Sequence, residues 1–231
     1  MWSSYFINLS LNFEIFLNVA RTIFPMRLIL VRHGETDDNV QRTIGGQQGK
    51  PLNEQGQEQA WLVAERLRAE PISVAYVSDL ERAVQTAGVI LKHHQAVPLK
   101  LNTVLREKSY GIYEGKTESE LREVIDRSGV PFEEYKPEHG ESYLEVRQRA
   151  LGFYSGLFPQ HVADTVLAVT HGGFLTSLLL GLERLPFTAE NRQLYRHQNT
   201  GVTIVDADRP SAYSFVIFND ASHLSPKPTI G

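Results

Sequence analysis

The 231-residue chain contains no cysteine. That excludes disulfides, thiolate nucleophiles and cysteine-based zinc sites, so a catalytic nucleophile must come from another side chain. A surplus of positive charge is missing too: 23 Lys and Arg stand against 27 Asp and Glu, a formal net charge of −4. Neutralising a phosphate backbone needs the opposite balance, so no nucleic-acid partner is expected. Any basic cluster must be local, as a small anionic ligand would require. Long apolar runs are also scarce. Trp2 to Phe24 is rich in Phe, Ile and Leu, yet Asn8, Asn12, Glu14, Asn18 and Arg21 interrupt it, whereas a membrane span needs about 20 nearly uninterrupted apolar residues. The segment lacks the basic start of a secretory signal, and one arginine beside Glu14 makes a weak mitochondrial presequence. No integral membrane span is expected, and the cytoplasm is the expected location. Residues 1–25 read as an N-terminal extension, 26–224 as one domain and 225–231 as a C-terminal tail.

What is present is ordinary for a globular enzyme: 42% apolar and 22% charged residues, in a length that suits one α/β domain. The apolar run Arg27–Val31 reads as a buried strand ending at a turn. Further strands are predicted at Val74–Val77, Leu99–Leu105, Thr165–Thr170, Val202–Val205 and Tyr213–Phe218. Helices are predicted from Asn53 to Glu70, with Asn53 as N-cap, over Thr117–Arg127 and Glu141–Phe158, and from Gly172 to Leu182. Ser78-Asp79-Leu80-Glu81 fits a capping box and predicts a helix starting there and running to about His94. Strands alternating with helices give a three-layer α/β/α sandwich. Its sheet should be mostly parallel, with an antiparallel edge.

Two predicted strands end in a histidine followed by glycine, at Arg32-His33-Gly34 and at Thr170-His171-Gly172-Gly173. Ligands of open α/β sheets bind beyond the carboxyl ends of the strands, so both histidines should meet at one rim. Glycine beside each would let a ligand approach the backbone. Phosphoryl transfer asks for a nucleophile, cationic donors for the equatorial oxygens and an acid for the leaving group. His33 can be the first, and Arg32 and Arg82 can serve as the second. Taken singly, each residue has a dull explanation as a turn or a solvated charge. Their joint occurrence at strand ends does not.

Arg32-His33-Gly34-Glu35-Thr36-x-x-Asn39 resembles the signature of the histidine phosphatase superfamily, in its phosphoglycerate-mutase-like branch. The similarity continues through Pro51-Leu52-Asn53-Glu54-x-Gly56, Ser78-Asp79-Leu80-x-Arg82, Leu105-Arg106-Glu107, Glu114-Gly115, Gly140-Glu141-Ser142 and His171-Gly172-Gly173. The resemblance implies that His33 forms a phosphohistidine and that Arg32, Arg82 and His171 hold the phosphoryl oxygens. It implies Glu107 as proton donor and then base for water, Glu114 matching only a structural Glu-Gly pair. Asn39, Gly172 and the backbone near Gly46 and Gln47 would line the phosphate pocket, while Arg106, Lys108 and Lys116 can contact a second phosphate or a carboxylate. No metal or other cofactor is implied. Gly49-Lys50 departs from the Asp of many relatives, Lys50 reading as a solvated loop residue, and His139 replaces a common glycine.

Phosphoglycerate mutases of this branch carry a long insertion between the acid and the second histidine. Here Glu107 and His171 are 64 positions apart and no adjacent arginine pair lies between them. A short, open cap favours hydrolysis over retention of the phosphoryl group. The expected activity is hydrolysis of a small phosphorylated metabolite, a sugar bisphosphate or phosphoglycerate-type ester, by a monomer or homodimer. The alternatives are a cofactor-dependent mutase, a protein phosphatase and a phospho-ligand docking module. Leu105-Arg106-Glu107-Lys108-x-Tyr110-Gly111, Asn199-Thr200-Gly201 and Asn219-Asp220-x-x-His223 are similar to TIGAR-type fructose-2,6-bisphosphatases. Broad-specificity phosphatases share most of the other motifs.

Overall fold

The protein is described by a computed structural model over residues 25–225, so the predicted extension (apart from Pro25) and the predicted tail (apart from Ser225) lie outside the described residues. The apolar runs become β1 (Met26–Arg32), β2 (Val74–Val77), β3 (Leu99–Leu101), β4 (Thr165–Thr170), β5 (Val202–Arg209) and β6 (Ala212–Asp220). They form one sheet in the order β3-β2-β4-β1-β5-β6. β1, β2, β3 and β4 run parallel, while β5 pairs antiparallel with both β1 and β6.

The helices are α1 (Asp37–Gln41), α2 (Glu54–Leu67), α3 (Glu81–Ile90), α4 (Glu118–Ser128), α5 (Tyr143–Leu157), α6 (Gly172–Leu182) and α7 (Ala189–Leu194). Strand side chains alternate between two faces, and both faces are covered. Leu28, Leu30, Val166 and Ala168 pack with Val146, Phe153, Phe174 and Leu178 of α5 and α6. Ile29, Val31, Leu167 and Val169 pack with Val63, Leu67, Ala83 and Ile90 of α2 and α3. A third, smaller cluster joins Ile44 to Leu121 and Ile125 of α4, with Tyr110 and Phe132 against it. Residues of that cluster line the same cavity as Arg32 and His33.

Asn53, Thr117 and Ser142 each cap the following helix through their side chains. Ser78 does not cap α3. The N-cap is Leu80, with no side-chain cap bond, and the Ser78 hydroxyl instead contacts His171 Nε2 at 2.7 Å. β3 is shorter than predicted because Asn102 bonds the Val104 N–H and turns the chain into a 3-10 turn over Thr103–Leu105. α1 and α7 were not legible, being shorter than two helical turns. His139 has a φ of 60°, a left-handed conformation that favours glycine.

Candidate active site

β1 and β4 lie side by side with Arg32 opposite Thr170, so the next residue of each strand is a neighbour of the other. The His33 and His171 rings accordingly stand 5.1 Å apart between centroids. Both are buried. His33 Nδ1 lies 2.7 Å from the Gly34 carbonyl oxygen. A carbonyl only accepts, so Nδ1 carries the proton and Nε2 presents a lone pair. Arg82 Nε donates to that lone pair at 3.2 Å, and Arg82 Nη2 donates to the Gly46 carbonyl at 2.7 Å. Burial, then the charges of Arg82 and Arg32, hold the His33 pKa well below 6.5. His171 is lowered likewise by burial and by Arg82. Its Nδ1 is buried without a partner.

Arg32 donates to the His197 carbonyl at 2.6 Å through Nη1, while its Nε is buried and unpartnered. Burial pushes its pKa down to about 10. Glu107 is held at both oxygens, accepting from Lys108 N at 2.7 Å and from Gly173 N in the first turn of α6 at 2.9 Å. The segment carrying Glu107 is itself pinned by Arg149 of α5, which donates to the carbonyls of Arg106 at 2.8 Å and Glu107 at 3.1 Å while pairing with Glu141. The sequence reading missed Arg149, since nothing in the spacing of α5 distinguishes it from a solvated arginine.

Arg32, His33, Asn39, Gly46, Arg82, Glu107 and Gly172 all face one cavity of about 820 Å³, while His171 is fully buried against the His33 ring and is not part of the cavity wall. Asn39 Oδ1 accepts from Asn199, which also donates to the His33 carbonyl. Glu114 is outside this cavity. It clamps the Gly46 loop, accepting from Gln47 N at 3.1 Å, Gln48 N at 3.0 Å and Tyr110 N at 3.0 Å. The structure does not bring Gln47, Arg106 or Lys108 into the cavity wall. Arg106 is paired with Asp79, and its Nη1 donates to the Gln47 side chain. Lys108 is buried against the Tyr110 ring, its Nζ 4.2 Å from the centroid. Lys50 lies 3.9 Å from Asp38. Gly34 serves packing rather than ligand access, because a Cβ there would come within 2.5 Å of the Gly56 carbonyl oxygen of α2. Arg122, Arg192 and Arg196, which sequence reasoning did not single out, line the outer wall.

An imidazole with an unprotonated ring nitrogen, a buried and a half-buried arginine and a cavity-facing carboxylate meet at the end of the parallel strands β1 and β4. The model of the histidine phosphatase superfamily (branch 1) matches residues 28–220. The chain belongs to the histidine phosphatase superfamily. Among relatives of this histidine phosphatase, phosphoglycerate mutase-like protein 4 of Arabidopsis thaliana is 31% identical over 85% of this chain and 86% of its own. Fructose-2,6-bisphosphatase TIGAR B of Danio rerio is 32% identical over 65% of this chain and 58% of its own. Among solved structures, Bacillus stearothermophilus YhfR superposes with a TM-score of 0.76 at 32% identity, covering 87% of this chain and all of that one. Among the described residues no helix is long and apolar enough to cross a membrane.

Proposed function

We propose that this histidine phosphatase hydrolyses small phosphorylated metabolites, of the sugar bisphosphate or phosphoglycerate type, through a phosphohistidine on His33. The observation that carries the reading is the orientation of the imidazole: Nδ1–H is spent on the Gly34 carbonyl, which leaves the Nε2 lone pair at the Arg82 end of the cavity. A bound phosphate draws Arg82 onto its own oxygens and frees that lone pair. Nε2 then attacks phosphorus as the ester P–O bond breaks. Arg32, Arg82 and His171, with its unpartnered Nδ1, hold the equatorial oxygens. Glu107 gives its proton to the departing alkoxide oxygen. It then takes one from the water that attacks phosphorus and breaks the P–Nε2 bond.

Hydrolysis is favoured over mutase chemistry by the outer wall, where Arg122 and Arg196 are exposed to solvent. Keeping a phosphoryl group for re-transfer needs a site that excludes water. The deciding measurement uses ³²P-labelled fructose-2,6-bisphosphate, 2,3-bisphosphoglycerate, 3-phosphoglycerate and phosphoserine with acid-labile label trapping. Expected is label on the protein, lost in His33→Ala, with net phosphate release. Phosphate release that survives His33→Ala would overturn the mechanism. Label passing to 2-phosphoglycerate without net release would make the protein a mutase.

A further inference from the structure

The cavity extends well beyond the space that one phosphate at His33 fills, and its far wall is cationic. Arg122 from α4 and Arg192 from α7 both face it, and Arg196, just after α7, also lines the cavity, near enough to Arg32 to help depress its pKa. Among the described residues none of these three has a carboxylate within 4.0 Å, although ion pairs are common elsewhere on the surface. Arg192 is fixed rather than free. Its guanidinium lies 3.6 Å from the centroid of the Phe132 ring, Phe132 stacks on Tyr143 at 5.1 Å, and Arg192 Nε is buried without a hydrogen-bond partner. Glu118 lines the same wall and Glu133 lies near enough to attract Arg192, yet neither pairs with it. Arg122 in turn depresses the Arg192 pKa, behind the larger effect of burial. Two elements distant in sequence thus bring like charges together over an aromatic support. Such an array costs free energy unless an anion occupies it.

We propose that Arg192, with Arg122 and Arg196, forms a second anion subsite for a phosphate group other than the one that is cleaved, which makes a small bisphosphorylated metabolite the preferred substrate. The proposal rests on the reading of the His33 end as the site of the cleaved phosphate. It moves the second-phosphate contacts away from Arg106, which is committed to Asp79, and from Lys108, which is buried outside the cavity. A planar guanidinium on an aromatic face presents its donor edge to the ligand, as bidentate capture of a phosphate requires.

The test compares alkane-α,ω-diol bisphosphates of increasing length with the matching monophosphates and ω-phosphocarboxylates. The wild type should prefer the best bisphosphate by about 10- to 100-fold in kcat/KM, the worth of one to two charge-assisted contacts. Arg192→Gln should cut that ratio to within about threefold, and the exposed Arg122→Gln, which leaves the core untouched, should lower it by about threefold to tenfold. Equal use of monophosphate and bisphosphate by the wild type would overturn the subsite, as would variants that slow both in proportion. A phosphocarboxylate that matches the bisphosphate would overturn the assignment to phosphate. Calorimetric binding to His33→Ala separates this inference from the hydrolase reading. Tighter binding of bisphosphate that depends on Arg192 sustains the subsite even if no ester is turned over. Equal binding of the two ligands overturns it whatever the turnover.

Discussion

Arg82 Nε lies 3.2 Å from His33 Nε2 and donates a hydrogen bond to it. A guanidinium therefore occupies the nucleophile's lone pair and disfavours the imidazolium. Burial is the larger cause of the lowered His33 pKa, and the charges of Arg82 and Arg32 follow. The His33 ring should show no protonation step by NMR between pH 8 and about 6. Arg82→Gln should move its pKa upward, and Arg82→Lys, which cannot reproduce the two-nitrogen reach to His33 and Gly46, should lower kcat by about 100-fold or more. A wild-type His33 titrating at its ordinary value would sink this account.

The same linkage bears on stability. The unfolded chain takes up protons on its histidines as pH falls through 6.5, whereas the native state with buried neutral His33, His171 and His197 does not. Stability is fully present above pH 6.5 and is lost as acid approaches the folded pKa values. His197 is pushed down to about 4 by burial, and it contributes on the order of 3 kcal/mol to that loss. Thermal melts from pH 7 to 4 should show a steady fall in Tm, absent over the upper part of that range if the buried histidines titrate normally.

Glu107 and Glu114 should separate by leaving group. A general acid matters when the departing oxygen is a poor leaving group, so Glu107→Gln should slow alkyl phosphates by ~100-fold or more while affecting p-nitrophenyl phosphate far less. Glu114→Gln weakens carboxylate contacts to Gln47, Gln48 and Tyr110 backbone N–H groups. It should cost about 1–3 kcal/mol of stability and slow both esters alike. The reverse pattern would reassign the acid.

Gly173 has a steric role that kinetics can isolate. A Cβ at that position would overlap the Glu107 carboxylate, which also accepts from the Gly173 N–H. Gly173→Ala should raise intrinsic helix propensity in α6 by up to ~1 kcal/mol, yet it should reproduce the leaving-group dependence of Glu107→Gln. An alanine variant with wild-type turnover of alkyl phosphates would show that Glu107 has freedom the structure does not grant it.

Lys108 is 2% exposed, and burial lowers its pKa from 10.5 to about 8 against the pull of Glu141 and Glu107. Below pH 8 both native and unfolded states carry the charge, and the native state bears the net cost of burying it, about 3 kcal/mol after the attraction of the nearby carboxylates. Between pH 8 and 10.5 only the unfolded state stays protonated, so stability rises with pH and the cost is relieved. Lys108→Met should therefore raise Tm at pH 7, and the gain should shrink by pH 10. A variant less stable than wild type at pH 7 would mean that contacts with the Tyr110 and Tyr143 rings outweigh the desolvation.

The sequence alone carried the strands, most helices and the rim where His33 and His171 meet, because burial on both sheet faces forces continuous apolar runs and a strand must end where its glycine turn begins. Arg32 and Arg82 were legible for the same reason, one at a strand end and the other in the first turn of a helix, whereas Glu107, six residues beyond the end of β3, was read only from the family resemblance. Tertiary structure alone decided what pairs with what. Ser78 has the spacing of a helix cap, but its hydroxyl accepts only from Leu80 N–H, ahead of the helix, and its shorter contact is with His171, a residue 93 positions away. Arg106 and Lys108 sit beside Glu107 in sequence, yet an ion pair with Asp79 and burial against Tyr110 keep both out of the cavity. Arg122 and Arg192 look like ordinary helix-surface charges until the packing of α4 and α7 faces them onto one wall. Local spacing fixes which way a side chain leaves its own element; which partner it meets depends on contacts that only the folded chain makes.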